Sequence, residues 1–327
     1  MNNLNSANYL LIGYGYWGPN LARNINKNNN SNLSIVIDSN QQALDIAKSQ
    51  NLADTYIENI EYVNESLIEK IDIIVVATPP ETHTEIIEKL AHFRKDFLVT
   101  KPVAVSSKEV KLLKDLKDKY EFEIFVDETF VYSNKVKKIK EIVNSPDFGD
   151  LQYIYSNRSN LGLLQKNQNV IWDLAPHDLS IVSFITGIFP IKGKAISTNP
   201  LKIDSNDNIA TVYFEYENNF ELYLNLSWLS PQKLRYMVFN GTNQSLVYQD
   251  NIEQKSLMLF KQKISFNDNK YDYESDDGRI IKYQQNEPLF DEIQQLSKYI
   301  LEGGKKPVTS FENTVKNIKA LENIIYV

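Results

Sequence analysis

The sequence predicts an α/β protein whose first part is a doubly wound parallel sheet and whose second part is rich in strands. Three observations lead there. Short apolar runs alternate with amphipathic segments over the first 125 residues. A glycine-rich turn joins the first run to the first amphipathic segment. After about residue 150 the pattern shifts to alternating strands and hairpin turns. Strand–helix alternation of the first kind implies parallel strands with helices on both faces.

The runs YLLIG (9–13), LSIVID (33–38), IDIIVVAT (71–78), DFLVT (96–100) and FEIFV (122–126) are nearly continuous in Val, Ile, Leu and Phe. Strands buried on both faces have that composition. Between them, THTEIIEKLAHF (82–93) opens with a capping box, Thr82 to Glu85, and sets Ile86, Ile87 and Leu90 on one face. SSKEVKLLKDL (106–116) repeats the device with Ser106 and Glu109, followed by Val110, Leu113 and Leu116. LQYIYSNRSN (151–160) begins the strand-rich part, and 208–229 reads as a hairpin turning at Asn218–Asn219. There Val212, Phe214 and Tyr216 alternate with polar residues, so one face is wet or covered by something amphipathic. Further strands are expected near 234–240, 244–249 and 256–261, and two helices, roughly 288–302 and 310–325, close the chain. NKNNNSN (26–32) and NDNKYDYESDDGR (267–279) read as polar loops.

The chain of 327 residues is 42% hydrophobic, enough for two cores. A net charge of −7 argues against nucleic acid or an anionic membrane as partner. With no cysteine there is no disulfide, thiolate zinc site or iron–sulfur cluster, and no metal is expected. MNNLNSANYLLIG (1–13) lacks the basic and long apolar regions of a signal peptide, and no run is long enough to span a bilayer. A cytoplasmic protein is expected.

The turn YLLIGYGYWGPN holds Gly13, Gly15 and Gly18 between a strand and a helix, with Pro19 in the helix's first turn. Gly13 permits the tight turn, Gly15 lets a diphosphate approach the backbone, and Gly18 allows close packing. The positive end of the helix then favours the phosphates. Tyr16 and Trp17 lie inside the turn; Trp17 packs near a nicotinamide or simply anchors the helix. Asp38 ends the next strand, twenty residues beyond Gly18, where an acid binds the adenosine ribose and repels a 2′-phosphate. No Arg or Lys follows at 39–42, so NAD is favoured over NADP.

Two loops share the carboxyl edge where ligands of open α/β sheets bind. ATPPETH (77–83) carries Thr78, Pro79 and His83; the histidine touches ligand or decorates the helix start. VTKPVAV (99–105) carries Lys101. Further on, NVIWDLAPHDLSIV (169–182) is mostly apolar, yet spaces Asp173 and His177 one helical turn apart. Pro176 is tolerated if the helix begins near Trp172–Asp173. The carboxylate can fix the imidazole tautomer and stabilise its protonated form; the alternative is a helix cap and a core histidine. The preceding polar segment NRSNLGLLQKNQN (157–169) offers Arg158, Asn160, Gln165 and Asn169 as substrate ligands.

Taken in order and spacing, GYGYWGPN, ATPPETH, TKP, VDETFVYS and NVIWDLAPHDLSIV resemble the Gfo/Idh/MocA family of sugar and cyclitol oxidoreductases, chiefly bacterial members acting on nucleotide-linked sugars. The resemblance implies an N-terminal Rossmann domain and a C-terminal α/β domain with a large, mostly antiparallel, open-faced sheet that forms a homodimer or homotetramer. We accordingly divide the chain into a cofactor domain, 1–126, and a substrate-binding and oligomerisation domain, 127–327, with the last helix free to pack back on the first. It implies that Lys101 matches the lysine of an E-K-P motif near the reacting hydroxyl, and that Asp173 and His177 match a D-x-x-x-H pair with the histidine as acid/base. Thr100 departs from the usual glutamate, and VDE (126–128) from the usual glycine and histidine or tyrosine. The implied activity is hydride transfer between a sugar carbinol carbon and NAD. The alternatives are a ketoreductase in deoxysugar assembly and a non-catalytic dinucleotide-binding regulator.

Overall fold

The structure is a computed structural model and describes residues 6–162, 164–202, 205–250 and 255–327. Residues 1–5, where the stretch read for a signal peptide begins, and Leu163, within the polar segment 157–169, lie outside them. Two compact units emerge: Met1–Tyr132 with Asn286–Val315, and Ser133–Gln285 with Lys316–Val327.

The first unit runs β1 (Ala7–Ile12), α1 (Gly18–Lys27), β2 (Ser31–Ile37), α2 (Gln41–Ser49), β3 (Thr55–Ile57), α3 (Glu65–Ile68), β4 (Ile73–Val76), α4 (His83–Leu90), β5 (Asp96–Thr100), α5 (Ser107–Tyr120) and β6 (Ile124–Asp127). Its six strands form one parallel sheet in the order β3-β2-β1-β4-β5-β6. The five expected apolar runs became β1, β2, β4, β5 and β6; β3 has three residues, too few to show a period. Strand order reverses between β1 and β4, which places the glycine turn and the loop after β4 at the switch point.

The two expected capping boxes behave differently. Ser106 is extended, with φ −156°, and its hydroxyl accepts from the Glu109 N–H at 3.3 Å, while Glu109 reaches back to the Val105 N–H at 2.8 Å. Thr82 does not cap. Pro80 starts a 3₁₀ turn, which leaves Thr82 helical at φ −99°, and its hydroxyl donates backward to the Pro79 carbonyl at 2.7 Å. A capping side chain needs an extended backbone.

Then follow α6 (Asn134–Val143), β7 (Leu151–Leu161), α7 (Val170–Thr186), β8 (Pro190–Thr198), β9 (Ile209–Tyr216), β10 (Glu221–Ser227), β11 (Leu229–Gly241), β12 (Gln244–Gln249), β13 (Leu257–Asn267), β14 (Lys270–Ser275), β15 (Arg279–Ile280), α8 (Pro288–Glu302), α9 (Phe311–Glu322) and β16 (Ile324–Tyr326). α8 belongs to the first unit, where it packs on α1, β1 and β2, with Ser297 Oγ 2.7 Å from the buried Tyr9 hydroxyl.

The second unit holds a ten-stranded sheet in the order β14-β13-β12-β11-β7-β10-β9-β8-β16, with β15 beside β13. β7 is parallel to β10 and β8 to β16; the other pairings are antiparallel. α7 covers one face at β9 and β10, burying Val212, Phe214, Leu222 and Leu224. The opposite face exposes Tyr153, Tyr155, Tyr223 and Ile196. Residues 267–279, expected as a loop, instead complete a hairpin: β13 and β14 pair Phe266 with Tyr271 and Ile264 with Tyr273. Asp268 and Asn269 take φ of 49° and 61°, a two-residue turn that matches strand twist. No helix among the described residues is long and apolar enough to cross a membrane.

Candidate active site

The candidate residues fall in both units. In the first, Gly13 has φ +95°, and a Cβ there would lie 2.6 Å from the Ala77 carbonyl oxygen. A Cβ on Gly18 would collide with the Gly13 carbonyl oxygen, so the turn closes on itself. At Gly15 a Cβ would meet nothing within 4 Å. That opening is the space a side chain would fill and a diphosphate can use. No side chain caps α1, which leaves the positive end of the helix for an anion.

Asp38 faces the same turn. Its Oδ2 accepts from the Tyr14 N–H at 2.6 Å and its Oδ1 from the Asn40 N–H at 2.7 Å. Each oxygen keeps lone-pair capacity for a ribose hydroxyl. Tyr16 is 81% exposed, whereas the Trp17 indole is partly buried and donates to Asp127 Oδ2. Donor groups, opening and acid are those a dinucleotide requires, so the residues fit NAD.

His83 is fully buried. Its Nε2 lies 2.8 Å from the Thr78 carbonyl oxygen and 3.4 Å from Thr100 Oγ1; its Nδ1 lies 3.1 Å from the Pro102 carbonyl oxygen. The imidazole therefore ties the loop after β4 to the loop after β5. Burial pushes its pKa down, against the pull of the two carbonyls. Lys101 is half-buried and joined to Pro102 by a cis peptide bond. Thr100, in the place of the family's glutamate, also donates to the Val76 carbonyl at 3.3 Å. Thr78 Oγ1 and Thr82 Oγ1 are 2.7 Å apart, and Pro79 leads into the 3₁₀ turn.

In the second unit, α7 starts earlier than expected. Asn169 caps it, its Oδ1 accepting from the Ile171 and Trp172 N–H groups at 3.1 Å, so Pro176 falls inside the helix. A strong asparagine cap outweighs the cost of one missing hydrogen bond in the second turn. Along α7, Val170, Ile171, Leu174, Ala175, Asp178 and Leu179 are buried, whereas Asp173, Pro176 and His177 share a half-buried stripe. Asp173 Oδ2 accepts from the Trp228 indole N–H at 3.0 Å. Trp228, 1% exposed, is itself held by backbone bonds to Asn208 and Gly162.

Of the other proposed ligands, Asn169 caps the same helix and its carbonyl accepts from the Asp173 N–H at 3.2 Å. Arg158 is buried in β7, its Nε 2.7 Å from Asp178 Oδ2, with Ser156 on the other carboxylate oxygen at 3.0 Å. Asn160 is half-buried near the end of β7. The Asn206 side chain donates to the Gln165 and Lys166 carbonyls at 3.1 and 2.8 Å, holding the segment that leads to Asn169. Trp228 is legible in the chain only as the tryptophan closing the amphipathic hairpin, and Asp127 only as part of the unusual VDE at 126–128.

Comparison with known proteins agrees with this architecture. Residues 7–128 match the model of the Gfo/Idh/MocA oxidoreductase family, NAD-binding Rossmann fold, and residues 136–247 match that family's C-terminal domain. An uncharacterized oxidoreductase of Streptococcus pneumoniae is 23% identical over 257 residues, covering 73% of this chain and 67% of that one. The 2,7-anhydro-N-acetylneuraminate hydratase of Escherichia coli is 23% identical over 299 residues, covering 83% and 75%. Among solved structures, the UDP-N-acetylglucosamine 3-dehydrogenase of Acidithiobacillus ferrooxidans superposes with a TM-score of 0.78 at 17% identity, covering 96% and 95%. With both of its domains matched, the chain belongs to the Gfo/Idh/MocA family of oxidoreductases and carries that family's NAD-binding Rossmann domain.

Proposed function

We propose that the protein is a dehydrogenase that oxidises a carbinol carbon of a sugar, most simply a nucleotide-linked sugar, with residues 1–126 and the rest of their unit serving the cofactor and the remainder of 127–327 the substrate and oligomer contacts. The observation that carries this is the half-buried Asp173–His177 stripe on a largely buried helix, in a chain with an NAD-binding turn. NAD, when bound, accepts the hydride. Neutral His177 takes the hydroxyl proton as general base. Asp173, oriented by Trp228, holds the imidazole tautomer and stabilises the imidazolium. Lys101 orients the hydroxyl and steadies developing negative charge on its oxygen. His83 fastens the loop that carries Lys101. Asn160 and Gln165 reach sugar hydroxyls, while Arg158 and Asn169 brace the substrate loop through their bonds to Asp178 and to α7. Support for a sugar comes from relatives whose names specify amino sugars, the hydratase and the UDP-N-acetylglucosamine 3-dehydrogenase.

The test is to supply purified protein and NAD with a panel of nucleotide sugars and free polyols and follow reduced-cofactor absorbance. A nucleotide sugar is expected to turn over. NADP should serve worse by on the order of tenfold, because the Asp38 carboxylate repels a 2′-phosphate. A protein that binds NAD yet turns over no sugar in either direction is a dinucleotide-binding regulator instead.

The exposed sheet face with Tyr153, Tyr155, Tyr223 and Ile196 is proposed as the contact between copies. Light scattering should give the mass of a dimer or tetramer, and a charged substitution at Tyr155 should lower it. A monomeric mass for the parent protein removes this assignment.

A further inference from the structure

The glycine turn is anchored on both sides of its open centre. Upstream, Asp38 holds the Tyr14 N–H, and the Tyr14 hydroxyl donates to Gln50 at 3.2 Å. Gly15 and the exposed Tyr16 follow, with no packing around the glycine's Cβ position. Downstream, Trp17 is the first fixed side chain. It is the residue before α1, its carbonyl accepts from Asn20 and Leu21, and its ring packs on the core of the first unit. Its indole N–H donates to Asp127 Oδ2 across 110 residues of sequence.

Asp127 ends β6 and is 5% exposed. Its other oxygen accepts from Thr129 Oγ1. Glu292 of α8, 1% exposed, faces Asp127 and Glu128, its carboxyl against the Asp127 side chain and the Glu128 backbone. Burial and the neighbouring acids push the Glu292 carboxyl well above the usual carboxylate range, which keeps it neutral. A buried carboxyl with one donor on each oxygen, Trp17 and Thr129, and an acid behind it is held in one orientation.

We propose that Asp127 is a positioning residue for the cofactor: by accepting the Trp17 indole N–H it fixes the entry of α1 and so presets the shape of the turn that receives the diphosphate. α1 has no side-chain cap, so its first N–H groups stay open to the diphosphate while this bond and the ring packing of Trp17 fix the residue at its entry. The departure at VDE (126–128) thus supplies an acceptor to the glycine turn from the far edge of the sheet.

The experiment measures NAD binding to the full chain by calorimetry without sugar, so its result is independent of the proposed dehydrogenase chemistry. Trp17→Phe keeps the ring and removes the N–H; Asp127→Ala removes the acceptor. Each is expected to weaken NAD binding by about 5- to 30-fold, and the double variant by no more than the worse single one, because both delete the same bond. Asp127→Asn can still present an oxygen and should recover most of the affinity. In steady state, KM for NAD should rise by a larger factor than kcat falls. Trp17→Phe binding NAD like the parent overturns the proposal, as do additive losses in the double variant. Should Asp127→Ala fail to fold, the Trp17→Phe and Asp127→Asn pair decides alone.

Discussion

Replacing His177 by alanine is expected to cut turnover by about 10²- to 10⁴-fold while NAD affinity stays nearly unchanged. His177 is half-buried in the second turn of α7, so truncation opens no core cavity, and alanine is the best helix former. The fold should therefore survive, and a lost rate reports lost proton transfer. Asp173→Asn is the companion variant. Its side chain still accepts from the Trp228 indole but cannot stabilise an imidazolium by charge, so it should also lose rate, by less than His177→Ala. Single-turnover hydride transfer with a substrate from the panel checks both. Parental turnover in His177→Ala would end the acid–base assignment; a loss matched by a lower unfolding midpoint would point to structure rather than chemistry.

Glu128→Gln is expected to stabilise the protein at pH 8 and to change little at pH 4. Burial, with Asp127 adding to it, raises the Glu128 carboxyl from 4.5 to about 7 despite the hydrogen bond from Thr314. Below 4.5 both folded and unfolded states hold the proton. Between 4.5 and 7 the folded state still binds it while the unfolded state releases it, so stability falls as pH rises through that window. A shift of that size corresponds to about 3 kcal/mol. The residue as a whole is only partly buried, and solvent screening brings the expected difference to about 2 kcal/mol. Glutamine keeps an oxygen for the Thr314 hydroxyl and cannot ionise. Urea unfolding of both proteins from pH 4 to pH 8 measures the effect; parallel curves for parent and variant across the window would contradict it. Glu292 is raised mainly by burial, a cause that both proteins share.

Residues whose placement depends on local spacing were readable in the chain. The apolar runs of β1, β2, β4, β5 and β6 are consecutive because both sheet faces are covered. Gly13, Gly15, Gly18 and Asp38 sit at fixed distances from strand ends, and the structure gives the glycines the tight contacts or open space assigned to them. Asp173 and His177 share a helix face because they are four apart. Local signals failed where two of them competed. At Thr82 a proline-induced 3₁₀ turn overrode a capping box, at Asn169 a cap overrode the boundary suggested by Pro176, and at 267–279 alternating aromatics prevailed over a polar composition.

The sequence by itself determined the parallel sheet, the dinucleotide turn with its acid, and the helix bearing the acid–imidazole pair, since each follows from periodicity or spacing within a few dozen residues. Tertiary structure alone decided the partners: Trp228 on Asp173 across 55 residues, Trp17 on Asp127 across 110, and Arg158 on Asp178 beneath the large sheet. A buried donor must find an acceptor, but which one it finds depends on strand order and register, and those are set only when the whole unit packs.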